Sequence, residues 1–232
     1  CIRDSLTHQP LSFSVSETTE GVHIHIIDAE LMGKGEKEKK DLYIEGIQNN
    51  GIINHYEYII NSEGTIEIRH VLKPEGKMPL WFPRIGLTLT VSDALDQVKW
   101  YGRGPQENYP DRKTGYPTGI YASTVQAMYE PYLMPQDYGL RTDVRWLQLT
   151  TDKGIGLQFK MNEWFNFNIY PYSTDNLTKA MYTYQLQKQK GMTLNLDYAT
   201  TGVGCTARGV FGAYKAMPQE YRRTISIRPM MK

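Results

Sequence analysis

Apolar and polar residues alternate strictly from Gly21 to Ile27: Val22, Ile24 and Ile26 fall on one side of an extended chain, His23 and His25 on the other. A period of two belongs to a half-buried β-strand, because successive side chains of a pleated strand point to opposite faces. One face should be buried and one wet. The pattern returns through the first hundred residues between Gly, Pro and Asn breaks, which restricts this part of the chain to antiparallel β-structure. Segments 54–60 and 65–72 are expected to form a hairpin closed by Asn61-Ser62-Glu63-Gly64, with Gly64 free to take a positive φ. Further strands are expected at 42–47, 84–91, 97–101, 144–149, 156–161, 165–170, 193–198 and 224–228. The best helix signal is at 173–180, where Ser173 can cap and Asp175 sits near the positive helix end. Neither an internal repeat nor a Pro/Ser-rich linker divides the chain. The layer solution that fits is all-β: two large antiparallel sheets packed face to face in one domain over residues 1–232.

Charge narrows the partners. With 26 Lys+Arg against 25 Asp+Glu the formal charge is +1, which argues for neither a nucleic-acid nor a membrane partner. Aromatic residues make up 12% of the chain, so there is a core to bury and the chain is not of the disordered class. No apolar run approaches the ~20 residues of a membrane helix, and the N-terminus lacks the pattern of a secretory signal. The run Gly35-Glu36-Lys37-Glu38-Lys39-Lys40 has no apolar partner and is expected to be a solvated loop. Cys1 and Cys205 can build neither a disulfide framework nor a four-thiolate zinc site, and they leave the compartment open. Cys1 would also suit a matured lipoprotein, but without a signal segment a fragment boundary is the better expectation.

Several constellations have both a chemical and a bland reading. His23 and His25 share a face at i and i+2, close enough to share a metal, but no third ligand is indicated, and a solvated strand face explains them as well. His70 lies on the apolar stripe Ile66, Ile68, Leu72, where a core histidine is commoner than a catalytic one. His55 and Glu57 could pair a base with an acid or merely decorate a surface. Gly202-Val203-Gly204-Cys205-Thr206-Ala207 matches a loose dinucleotide pattern, yet no βαβ unit surrounds it, so nucleotide binding is not expected. Asn176-Leu177-Thr178 is a glycosylation sequon that matters only in a glycosylating secretory route.

The most informative stretch is Trp100-Tyr101-Gly102-Arg103-Gly104-Pro105-Gln106-Glu107-Asn108-Tyr109-Pro110-Asp111-Arg112. Its glycines and prolines impose an irregular path, and Glu107, Asn108, Asp111 and Arg112 can bond the backbone groups such a path leaves unpaired. Rings and planar polar groups in one loop are equally what a sugar site uses. Composition does not choose between a rigid scaffold and a sugar site.

That stretch resembles the W-x-G-x-G-P-x-E-N-Y-x-D-R signature of the C-terminal domain of β-galactosidases of glycoside hydrolase family 2. The segment from Met128 to Trp146 is similar to the family's P-Y-x-x-P-Q-E-x-G-x-R-x-x-V-R-W, with Asp137 where Glu is usual. Pro83-Arg84-Ile85-Gly86-Leu87 resembles the family's P-R-I-G-L strand, and Leu194-Asn195-Leu196-Asp197-Tyr198 followed by Gly202-Val203-Gly204 its last block. The resemblance implies a galactose-mutarotase-like supersandwich. It also implies that the catalytic glutamates, with magnesium and sodium sites, lie on a separate (β/α)8 barrel, since retaining chemistry needs two carboxyl groups about 5 Å apart. No catalytic residue and no cofactor are then expected here, and the chain is expected to be a fragment of a larger, homo-oligomeric bacterial enzyme, cytoplasmic or periplasmic. Its implied partners are that barrel and galactosides.

In such enzymes the loop after G-x-G reaches the barrel mouth and presents an aromatic, often Trp, to the sugar. Here the corresponding residues 204–211 hold no Trp, so Phe211 or Tyr214 would replace it, Arg208 would bond a hydroxyl, or the loop would only pack on its neighbour. The implied substrate-side residues are Arg103, Glu107, Asn108, Asp111 and Arg112, which fix the signature loop, with Gly204, Thr206, Arg208 and Phe211 approaching the site. Two rival classes stand beside this one: an aldose epimerase, with His70 and Glu107 as the acid/base pair, and a noncatalytic carbohydrate-binding module.

Overall fold

The computed structural model describes residues 6–32, 50–205 and 209–231. Cys1, the charged run at 35–40, the strand expected at 42–47, and Thr206, Ala207 and Arg208 lie outside the described residues. The described chain is all-β and antiparallel, and it divides into two compact units, one reaching to Trp81 and including Met217–Ile227, the other formed by Phe82–Ala216 and the residues from Arg228. No helix among the described residues is long and apolar enough to cross a membrane.

The first unit is an antiparallel sheet in the order β1 (Leu6–Thr18), β2 (Gly21–Met32), β3 (Gly51–Ile60), β4 (Ile66–Glu75), β11 (Tyr221–Met230). The β3–β4 turn forms as its residues dictate. Gly64 takes φ 76°, and Asn61 Oδ1 accepts from the amides of Glu63 at 3.0 Å and Thr65 at 2.9 Å. Strand β1 was not expected, because Pro10 interrupts its alternation and proline demotes a strand. The fold places Pro10 on the outermost strand at a register shift between Pro10 and Ser12, a position where the missing N–H costs little. Ala29 and Leu31 are buried on the His23 side of β2, whereas on the face expected to be buried Val22, Ile24 and Ile26 are only half-buried and the buried residue is Asp28.

On that face a polar chain crosses the sheet. His8 Nε2 donates to Asp28 Oδ2 at 2.9 Å, Asn54 Nδ2 donates to Asp28 Oδ1 at 2.9 Å, and His70 Nε2 donates to Asn54 Oδ1 at 3.1 Å. Tyr56 stacks on the His70 ring with centroids 4.2 Å apart. His70 is thus the core histidine of the bland reading.

The second unit orders its strands β5 (Arg84–Val91), β10 (Met192–Thr200), β9 (Gly156–Tyr170), β8 (Arg141–Thr150), β6 (Gln97–Arg103), β7 (Thr118–Thr124). Its core holds Trp100, Leu147, Leu149, Phe167, Leu194 and Leu196, all fully buried, with Phe167 edge-on to Trp100 at 5.9 Å between centroids. The two strands expected at 156–161 and 165–170 are one strand, β9. Its partner β8 pairs Val144 with Phe165 but Trp146 with Lys160, so residues 161–164 bulge out opposite Arg145 and break the alternation without ending the strand.

Helix α1 (Thr174–Lys179) starts as expected, Ser173 Oγ accepting from the Asn176 amide at 3.0 Å. Its Leu177 packs into a cluster with Tyr138 and Tyr170. The sequon side chain is already engaged: Asn176 Nδ2 donates to Gln185 O at 3.2 Å and its Oδ1 accepts from the Gln187 amide at 2.8 Å.

Candidate functional site

The signature stretch leaves β6 at Arg103 and folds into a loop whose polar side chains turn inward. Glu107 is 5% exposed. Its Oε2 accepts from Tyr109 Oη at 3.0 Å and from the Gly139 amide at 2.9 Å, while Oε1 accepts from Arg112 Nη2 at 2.8 Å and from the Tyr132 hydroxyl. Burial alone pushes this carboxyl up. The bonds from Tyr132, Gly139, Tyr109 and Arg112 outweigh burial and hold it below the ordinary glutamate range. Four donors use the lone pairs that a nucleophile or a general base would need.

Asn108 is fully buried. Its Oδ1 accepts from the Thr142 amide at 3.0 Å and the Thr142 hydroxyl at 2.5 Å, and its Nδ2 donates to Gln106 O at 3.0 Å. Arg103 Nε donates to Asp143 Oδ2 at 2.6 Å, and its Nη1 donates to the carbonyls of Lys113 at 3.1 Å and Tyr116 at 2.9 Å. Asp143 holds a left-handed φ of 55°. Burial raises its carboxyl, but the bonds and charges of Arg103 and Lys113 prevail and keep it low.

Asp111 carries the loop to its neighbour. Its Oδ1 accepts from the Val203 amide at 3.0 Å and its Oδ2 from the Gly204 amide at 2.7 Å. Gly204 needs its left-handed φ of 67° to present that amide. At Gly202 a Cβ would lie 2.3 Å from Asp111 Cγ, so the carboxylate sits where any side chain would be. The Gly202 amide donates to Tyr214 O at 2.9 Å, tying in the segment that bears Phe211, which is 65% exposed.

The predicted residues therefore meet in two groups. Glu107, Asn108, Arg103 and Arg112 stiffen the loop from within, and Asp111 joins it to Gly204. Thr206 and Arg208 lie outside the described residues. The loop's own rings Trp100 and Tyr109 are buried, 0% and 6% exposed, so the scaffold reading holds for them and a sugar-stacking role does not. His70 and Glu107 fall in different units, each in its own network.

A polar layer between β5, β10 and β9 was not anticipated. Arg84 Nη2 donates to Asp197 Oδ2 at 2.9 Å, and Asn168 Nδ2 donates to Asp137 Oδ1 at 2.9 Å. Asn195 Nδ2 donates to Asn168 Oδ1 at 2.8 Å and to Tyr170 Oη at 3.0 Å. Burial pushes the Asp197 carboxyl up to about 6, against the pull of the Arg84 charge. The available signal was Asn195 and Asp197 alternating with Leu194 and Leu196, a strand buried on both faces.

The candidate site is thus a stiffened loop clamped to a G-x-G loop on an all-β antiparallel scaffold. The family model described as "Beta galactosidase small chain" matches residues 10–227, and the chain belongs to that family. Relatives named beta-galactosidase include one from Priestia megaterium, 38% identical over 63% of this chain and 14% of its own length. Others come from Vibrio cholerae, 39% identical over 53% of this chain and 11% of the relative, and Pseudoalteromonas haloplanktis, 33% identical over 67% and 14%. The matched part thus spans only 11–14% of those curated relatives. Among solved structures, a GalM/aldose epimerase homologue from C. elegans aligns with 95% of this chain and 69% of its own at 12% identity and a TM-score of 0.45.

Proposed function

We propose that this chain is the noncatalytic small-chain domain of a retaining β-galactosidase, and that it shapes the galactoside site while the bond-breaking carboxylates and their metal ions lie on a separate barrel. The observation that carries this reading is the saturation of Glu107: a carboxylate holding four donors in a buried loop is a brace, with no lone pair left for chemistry. The brace serves the Asp111 clamp on Val203 and Gly204, which sets the start of the loop that bears Thr206, Arg208 and Phe211. Sugar sites are commonly finished by loops at domain junctions. An epimerase would need a free base and acid, whereas Glu107 is fully engaged and His70 is bonded to Asn54.

The test is steady-state kinetics of the parent enzyme carrying Asp111→Ala. Loss of two charge-assisted bonds to the loop should raise KM for a chromogenic galactoside roughly tenfold, equivalent to about 1.4 kcal/mol. An Asp111→Ala enzyme that melts earlier but keeps its KM and kcat would leave the loop with a packing role only.

A further inference from the structure

On the face of the first sheet opposite the His8–Asp28–Asn54–His70 chain, the β2–β3 register sets His25 directly across from Glu57. His23, two residues before His25, points to the same face. Three donor atoms, one each from His23, His25 and Glu57, all lie within 4.8 Å of one another. His23 Nδ1 is 3.5 Å and His25 Nε2 4.0 Å from the same oxygen, Glu57 Oε1. Both separations are too long for a good N–H···O bond, so the three groups converge without satisfying one another.

We propose that His23, His25 and Glu57 form a site for a divalent transition-metal cation of the zinc class. Bonds of about 2.0–2.2 Å to nitrogen and oxygen in a tetrahedral site put neighbouring ligand atoms roughly 3.3 Å apart. Small side-chain rotations close the observed distances to that value. The carboxylate is already oriented: Arg69 Nη1 donates to Glu57 Oε2 at 3.1 Å, and Arg69 Nε is itself held by Glu67 Oε1 at 2.8 Å. That leaves Oε1 turned toward the imidazoles, the outer-shell arrangement that orients a ligating carboxylate. The side chains of His23, Glu57 and His25 are 13%, 26% and 50% exposed, so the cup is walled on one side and open to solvent on the other, leaving the fourth position to water. Two imidazoles select zinc, cobalt, nickel or copper over magnesium or calcium, which take oxygen donors. This adds a cation to a chain whose sequence suggested none of its own, and it stands independently of the galactosidase reading.

Titration of the metal-free full chain with Zn2+ by calorimetry, together with the visible absorption of its Co2+ complex, tests the site. One ion per chain, a Co2+ spectrum of tetrahedral intensity, and at least tenfold weaker binding in His25→Ala and in Glu57→Gln are expected. His55→Ala, which removes another histidine from the same strand face as Glu57, should bind within twofold of the parent. Circular dichroism confirms that each variant is folded, and Glu57→Gln keeps the shape of the side chain. Absence of saturable binding, equal binding by His25→Ala and the parent, or an equal loss in His55→Ala would each overturn the proposal.

Discussion

Glu107 shows how one buried charge organises a loop that sequence patterning leaves irregular. Glu107→Gln keeps the volume but turns two acceptor sites into donors facing donors. With one pair of donors, Arg112 and the Tyr132 hydroxyl or the Gly139 amide and the Tyr109 hydroxyl, deprived of its acceptor, about 2–3 kcal/mol should be lost, read as a melting point lower by roughly 5–10 °C. An unchanged melting point would mean that the four bonds contribute little. His70 gives a pH signature of definite sign. Burial lowers its pKa from 6.5 to about 4, with the Asp28 charge opposing and His55 adding to the shift. A histidine depressed in the fold contributes stability that is present above its unfolded value and is lost as pH falls from about 6.5 toward 4. The full loss is about 3 kcal/mol. Asp197 acts oppositely, since a carboxyl raised to about 6 favours the fold more as pH falls through that value. The His70 component is therefore isolated as the difference between the parent and His70→Gln in urea unfolding at pH 7 and pH 4.5. A difference that does not change with pH would place the His70 ring in contact with water.

At the scale of elements, what was legible followed the burial of side chains. The β3–β4 hairpin, strand β5 and the Ser173 cap carry local signals, a left-handed glycine, an alternating stripe and a hydroxyl before a helix, that need no tertiary context. Strand β7 carries none: no residue of Thr118–Thr124 is buried and Ile120 is 61% exposed, so nothing in its pattern distinguishes it from a loop. Strand β1 was hidden by Pro10, and β9 was split by the bulge at 161–164, because both depend on a neighbouring strand to accept the irregularity. The signature loop was legible as a rigid unit, but which rings were buried was not, since Trp100 and Tyr101 are adjacent in sequence and only the fold separates them. Gly202 tests the junction between two such elements. Gly202→Ala puts a methyl group into the Asp111 carboxylate and should cost about 1–3 kcal/mol, measured by denaturant unfolding. A neutral Gly202→Ala would show that Asp111 can swing aside and that the clamp is loose.

At the scale of the molecule, each of the two compact β units carries a buried polar network whose titratable members are paired within it. The family match covers nearly the whole chain but a small share of its relatives. Of the carboxylates weighed as candidate acids, Glu107 is engaged by four donors inside its loop, which a single sequence does not show, because polar residues are visible in it without the neighbours that will engage them. The His23–His25–Glu57 cup escaped for the same reason, its third ligand arriving from a different strand.

The most direct measurement is hydrolysis of a chromogenic β-galactoside by this 232-residue chain, purified free of any full-length galactosidase. No turnover above buffer is expected across pH 5 to 8. Turnover that scales with the chain, and that falls on mutation of a carboxylate within it, would contradict a purely shaping role.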